Sequence, residues 1–297
     1  FICISERPFK KSEFQQYSFR FLSSVLFHFK RSLSPDYLLT MSAYAASDYE
    51  NAGFFYGRSY SWGYWVPDYP SNNLEPIFRK KGELKILFAN RMIDWKHPEL
   101  AITLAGKLKE RGIPFSLVMA GDGPLSESLK KRVKDEGLDG EVTFVGVVGT
   151  SVLRQMMENS DIVLSLSSKE EGWGSSVLEG MLSGCAVVAS CGTGSAPFLI
   201  SNWKNGVLFD ETNSDSLFES ISVLNKDRAL LRAIQQNAFE KSHKDFIAKE
   251  AVSRFSLWLQ GLISGETLAI FLSGPCSKDP ALHEQEVREK VSSELLS

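Results

Sequence analysis

The amino-acid sequence predicts an α/β protein built on doubly wound parallel sheets. Three observations carry that expectation. From residue 84 onward, short apolar runs alternate with longer helical stretches. The short runs are hydrophobic on both faces, as strands covered from two sides must be. Glycine and proline stand where helices are expected to start and stop.

The strand candidates, in order, are residues 85–89 (KILFA), 115–120 (FSLVMA), 142–145 (VTFV), 161–166 (DIVLSL), 185–189 (CAVVA) and 207–209 (VLF). Each is short and rich in Val, Ile, Leu and Phe. The helix expected at 98–111 opens on Pro98 and stops at Gly112, with Leu100, Leu104 and Leu108 forming one buried stripe. Further helices are expected at 125–136, ending at Gly137, at 151–159 after Gly149, at 175–182 before Gly184, and at 215–224. Strand, helix and strand repeated this way imply right-handed crossovers. Residues 76–245 therefore read as one complete Rossmann-like domain, with a linking stretch at 68–83.

Residues 1–75 read as part of a second such domain: a strand at 1–4, an amphipathic helix at about 12–32, a strand at 37–42 and a helix at 43–53. The chain has 297 residues, a prior of two domains at roughly 150 residues each. Phe1 already lies in a strand-like run, so the expectation is an N-terminally incomplete first domain. A helix at 246–264 follows the main domain, and 265–297 is expected to form a peripheral tail.

The composition is that of a globular domain: 43% hydrophobic residues and a net charge of −3. These values argue against disorder and against a generally basic nucleic-acid binder. The four cysteines form no C-x-x-C pair, which favours a reducing, cytoplasmic setting. No apolar run is long enough to span a bilayer. Residues 10–31 are basic and aromatic. They read either as a domain helix packed on a sheet or as a peripheral membrane contact; the first is favoured, since most amphipathic helices serve a core.

Ligands of open parallel sheets bind outside the carboxyl ends of the strands. Here those ends carry Asn90–Lys96 after the first strand of the main domain, Gly121–Pro124 after the second, Gly146 after the third, Ser167–Gly174 after the fourth and Cys191–Ser195 after the fifth. Glycines, cations and carboxylates on one edge suit a ligand that carries phosphates. Arg91 and Lys96 could both reach one diphosphate; the plainer reading has them paired with Asp94 or solvent. Gly172, Trp173 and Gly174 allow close backbone approach to a ligand. Ser175 and Ser176 are natural N-caps for the next helix, whose free amides would suit an anion. Glu179, one turn in, could accept ribose hydroxyls, or could close a capping box with Ser176. Glu171, next to Glu170, could contact a sugar or be a solvated loop carboxylate.

The stretch SSKEEGWGSSVLEGMLSGCAVVAS resembles the E-x7-E signature of family 4 glycosyltransferases, which have the GT-B fold. Ser168, Glu171, Gly172, Gly174, Glu179, Gly184 and Val187-Val188-Ala189 stand in matching places. Five further segments (NRMIDWKHPELAI, LVMAGDGPL, VTFVGVV, NSDIVLSLS and NWKNGVLFD) match in the right order. The resemblance covers residues 80 to 262. It implies two Rossmann-like units, a complete C-terminal one and a partial N-terminal one.

By resemblance, Arg91 and Lys96 would bind the diphosphate of a nucleotide-sugar donor and stabilise the leaving nucleotide. Glu179 would hold the ribose. Glu171 and the amides of Gly172, Trp173 and Gly174 would contact the transferred sugar. Ser175 would lie at the anion-binding helix start, and Gly146 and Val147 would border the base. The implied activity is retaining transfer to a hydroxyl acceptor, a glycan or lipid-linked saccharide, with no metal or other cofactor. Three positions depart from the pattern: Asn90 stands for the usual Gly, Ser167 for Pro, and Pro197-Phe198 for Pro-Glu. Ser5-Glu6-Arg7 is expected to border the acceptor side.

A nicotinamide dehydrogenase would want G-x-G-x-x-G after a strand. Gly121-x-Gly123 has Ser126 at the third place, and Gly192-x-Gly194 has Pro197. A non-catalytic nucleotide-sugar-binding fragment and a GT-B epimerase are the remaining alternatives.

Overall fold

The computed structural model of the chain describes residues 2–8, 36–66, 82–213, 215–265 and 271–295. The expected helix at about 12–32, the whole basic segment 10–31 and most of the linking stretch lie outside the described residues.

The main sheet has six parallel strands: β4 (Leu84–Ala89), β5 (Phe115–Ala120), β6 (Val142–Gly146), β7 (Ile162–Ser165), β8 (Ala186–Ser190) and β9 (Val207–Phe209). Their spatial order is β6-β5-β4-β7-β8-β9. The order reverses between β4 and β7, which makes the crevice beyond those two strand ends the natural ligand site. Every strand lies within one or two residues of its expected place.

Alternation along the strands sends side chains to two faces. On one, Ile86, Phe88, Leu117, Leu164 and Val188 meet α2 (Pro98–Glu110), α3 (Ser126–Asp135) and α7 (Ser216–Lys226). Leu104 and Leu108 of the expected stripe are buried there, and Leu100 packs against that core. On the other, Leu87, Val163 and Val187 meet α4 (Thr150–Glu158), α5 (Ser175–Leu182) and α8 (Arg228–Asp245). Helix α8 was not among the expected elements. Its N-cap is Asp227, whose carboxylate accepts from the amides of Ala229 and Leu230.

A second sheet has three parallel strands, β1 (Ile2–Ser5), β2 (Tyr37–Thr40) and β3 (Ser59–Ser61), in that spatial order. One face buries Leu38 against Tyr49 of α1 (Ala45–Asn51) and against Phe54 and Phe55. The other buries Leu39 under Trp258 of α9 (Ala248–Ser264). Helix α9 therefore returns from the main unit to cover the small sheet.

The tail expected to be peripheral is instead built into both units. Residues 276–279 run along β3, with Cys276 N donating to Ser61 O at 2.8 Å and Ser61 N to Ser277 O at 2.8 Å. Helix α10 (Glu284–Leu295) then lays Val287 and Val291 on the second face of the large sheet. The charged run hid this, because one face of α10 carries the two valines while the rest is polar. No described helix is long and apolar enough to cross a membrane.

Candidate functional site

The site is a set of loops at the carboxyl edge of the large sheet. Beyond β4 the chain turns at once: Asn90 N donates to Ala120 O at 3.1 Å and Met92 N to Asp122 O at 3.0 Å. Gly121 makes this possible. Its φ is +129°, and a Cβ there would lie 2.0 Å from Asn90 O. The turn leaves Arg91 exposed, and a 3-10 turn, Asp94–Lys96, then carries Lys96 toward the neighbouring loop.

That loop follows β7. Ser168 N donates to Trp95 O at 2.9 Å, which ties the two loops by backbone. Lys96 Nζ forms an ion pair with the Glu171 carboxylate, and their side chains are only 13% and 18% exposed. So much burial limits screening by solvent and salt. The Asp94 partnership open to Lys96 on sequence does not occur; Glu171 takes it instead.

Helix α5 begins at the end of this loop. Gly174, at φ +85°, is its N-cap residue and no side chain caps it. The expectation that Ser175 or Ser176 would cap the helix does not hold, since both lie inside its first turn. Ser176 Oγ instead lies 3.4 Å from Ser165 Oγ. The capping box with Glu179 is therefore not formed. Val177 N donates to Gly174 O at 3.2 Å, and no side chain caps the remaining amides of the first turn, at an end that favours negative charge. Ser175 and Glu179, four apart, share the helix side left open, while Ser176, Val177, Leu178 and Gly180 are buried. Burial pushes the Glu179 carboxyl above its usual range, and no charged group offsets the shift.

Gly146 ends β6 at φ +67°, and its carbonyl accepts from Gly121 N at 2.7 Å. Val147, next to it, is 80% exposed. These two stand two strands away from the Lys96–Glu171 pair, linked to Arg91 through the Gly121 turn. Gly172 and Trp173 are buried. The Trp173 ring turns toward the small sheet, 5.8 Å from Trp65 and 6.4 Å from Tyr64. Gly63 has no room for a side chain there: a Cβ would sit 2.2 Å from that ring.

The small sheet supplies the facing wall. Ala43 N donates to Gly194 O at 2.8 Å, and the Tyr44 hydroxyl to Cys191 O at 2.7 Å. Of Ser5-Glu6-Arg7, Glu6 accepts from the Tyr64 hydroxyl at 3.2 Å. Burial raises the pKa of that hydroxyl, and the charges of Glu6 and then Glu171 raise it further. Arg7 does not border the cleft as a free cation, because Asp48 and Glu284 hold it at 2.9 and 2.7 Å. Tyr44, Tyr64 and Trp65 were missed as wall residues. No local pattern marks them, since the contacts that place them on the wall, with Trp173 and Cys191, lie more than 100 residues away.

Two parallel α/β sheets facing each other across an edge suited to anions give the GT-B glycosyltransferase architecture. The chain belongs to the glycosyl transferases group 1 family, whose model matches residues 71–241. It is 30% identical over 182 residues to an uncharacterized glycosyltransferase of Methanocaldococcus jannaschii, covering 60% of this chain and 46% of that protein. It is 24% identical over 213 residues to the GDP-mannose-dependent alpha-(1-6)-phosphatidylinositol monomannoside mannosyltransferase of Mycobacterium tuberculosis, covering 66% and 54%. The chain thus spans about half the length of these curated relatives.

Among solved structures, the C-terminal domain of the Francisella tularensis group 1 family protein LpcC aligns with TM-score 0.52 and 28% identity, over 56% of this chain and 88% of that one. Anabaena HepE in complex with UDP and glucose aligns with TM-score 0.66 and 17% identity, over 87% and 71%.

Proposed function

We propose that this chain carries the donor site of a retaining glycosyltransferase. It would move a sugar from a nucleoside diphosphate sugar to a hydroxyl of a glycan or lipid-linked saccharide, with no metal. The observation that carries the reading is the Lys96–Glu171 ion pair across the reversal between β4 and β7, beside the uncapped start of α5. It puts a cation for the phosphates and a carboxylate for the sugar hydroxyls side by side, where the phosphate–sugar bond would lie.

In this reading Arg91 and Lys96 neutralise the diphosphate and stabilise it as it leaves. The amides at the start of α5, including that of Ser175, do the same through their dipoles. Fixed cations and dipoles at a leaving group can stand in for a metal ion. Glu171 and the amides of Gly172, Trp173 and Gly174 orient the transferred sugar. Glu179 accepts ribose hydroxyls, for which a half-buried carboxylate with no charged partner among the described residues is suited. Gly146 and Val147 border the base. Glu6 and Tyr64, across the cleft, stand on the acceptor side. The UDP and glucose in the HepE structure agree with the donor chemistry.

The test compares nucleosides with nucleoside diphosphates by calorimetry, using the uridine, guanosine and adenosine series. Arg91→Ala should weaken diphosphate binding by roughly 10- to 100-fold, the worth of a charge-assisted hydrogen bond, and leave nucleoside binding nearly unchanged. Equal losses for both ligands would remove Arg91 from the phosphate site.

A further inference from the structure

A second cavity, of about 260 Å³, lies where the small sheet, the short helix α6 (Ala196–Leu199), the end of α8 and the C-terminal stretch meet. None of Arg91, Lys96, Glu171 or Glu179 lines it. Its apolar walls are three aromatic side chains from three parts of the chain: Trp62, Phe198 and Phe246. The Phe198 and Phe246 rings brace each other edge to face at 5.6 Å. The opposite wall is made by the C-terminal stretch. It is firmly built, because Asp279 N donates to Ser59 O at 3.1 Å and Lys278 bridges Tyr60 in antiparallel fashion.

The polar groups on these walls are short and fixed. The Asp279 carboxylate accepts from the Thr40 hydroxyl and, at 2.8 Å, from Ala281 N. It is 8% exposed, and its oxygens keep further acceptor capacity. Ser42 and Ser277 also line the space, with Lys241 at the edge beside Phe246.

We propose that this cavity binds one pyranose ring of a saccharide, at a site separate from that of the transferred sugar. Phe246 is buried against Trp65 and serves as backing, while the partly buried Trp62 and Phe198 rings suit the C–H face of a sugar ring, and hydroxyls beside a carboxylate suit its hydroxyl rim. The volume lies near the lower end for small-molecule pockets, as one ring requires. A phosphate group fits poorly, because Lys278 is engaged by Gly57 O and the Tyr60 ring and Asp279 faces the same space. A purely apolar ligand would cover the remaining acceptor positions of the Asp279 carboxylate without compensation. The wall at 272–282 lies beyond the matched family stretch of 71–241. The inference does not depend on the donor reading.

Saturation-transfer NMR on the full chain tests it, with methyl α-D-glucopyranoside, methyl α-D-mannopyranoside and N-acetylglucosamine as probes. At least one probe should show transfer that excess UDP, GDP or ADP does not displace. Phe198→Ala should lower its affinity by about tenfold or more, as truncating a central aromatic does. Lys241→Ala, at the cavity edge, is the second variant in case Phe198→Ala does not fold by circular dichroism. Three results overturn the proposal: no transfer with any probe, displacement by a nucleotide, or affinity unchanged in the folded variants.

Discussion

The two sheets are held in different ways. The six-stranded sheet is covered on both faces by helices of its own unit, and its central strands are buried along nearly their whole length. Among the described residues, the three-stranded sheet has few of its own to bury. One face depends on Trp258 from α9, whose ring meets Tyr37 and Tyr60 at 5.6 and 5.2 Å. The C-terminal stretch runs along its β3 edge. A chain of ions then ties it to the large unit: Arg7 binds Asp48 and Glu284, while Arg288 binds Glu284, Asp210 and, closest, Glu211. A large sheet is stabilised by its own apolar area. Among the described residues, the small one takes cover and charge from distant parts of the chain.

The largest expected effect comes from Trp258→Ala, about 3–5 kcal/mol, the cost of emptying a buried tryptophan site. Hydrogen exchange should show β1–β3 losing protection while β4–β8 keep theirs. Equal loss in both sheets would mean that they unfold as one unit, and the contrast would fail.

Arg288→Ala should cost about 3 kcal/mol, the low end for removing one partner of a buried ion pair. Three carboxylates would then face one another, and in the folded protein burial already raises Glu211 while Arg288 opposes that shift. Urea denaturation measures the loss. A change under about 0.5 kcal/mol would class these ions with ordinary surface pairs.

Glu179→Gln probes the large unit at its edge. It should weaken donor binding by roughly 10- to 100-fold, as loss of hydrogen bonds to a charged acceptor does. It should leave the melting temperature equal or higher, since burial disfavours the charged carboxylate it replaces. A drop in stability with donor binding intact would make Glu179 structural.

A pH test falls on Asp279, pushed up to about 6 by burial from its ordinary value of 3.8. The folded state then binds the proton more tightly than the unfolded chain. The stability from that proton is fully present below pH 4 and is lost as pH rises through 6. Asp279→Asn should therefore flatten the stability profile between about pH 4 and 6. An unchanged slope in urea titrations would assign the pH dependence elsewhere.

Much of the large unit was legible because its strands are continuous apolar runs and its helices carry end signals. β5 and β9 lie where the apolar runs place them, and α5 spans the expected residues. Helix α8 carries Leu231, Ile234 and Ala238 at helical spacing behind the Asp227 N-cap, so its signal was present in the sequence and went unread. β3, Ser-Tyr-Ser, has no apolar pattern; pairing with β2 makes it a strand. In the site, the glycines and charges were visible as loop residues. The capping role of the serines was misjudged, because Gly174 takes the left-handed turn that starts α5.

The sequence by itself determined the parallel α/β class, the strand order along the chain and the loops that carry Arg91, Lys96, Glu171 and Glu179. Those are local properties: period, punctuation and residue type within a few positions. Only the tertiary structure decided that Lys96 would meet Glu171, that Trp173 would lie under Tyr64 and Trp65, and that the C-terminal stretch would close the small sheet. Each of those contacts joins residues far apart in the chain. Its geometry is set by how the sheets and helices bury their faces, which no short window of sequence records.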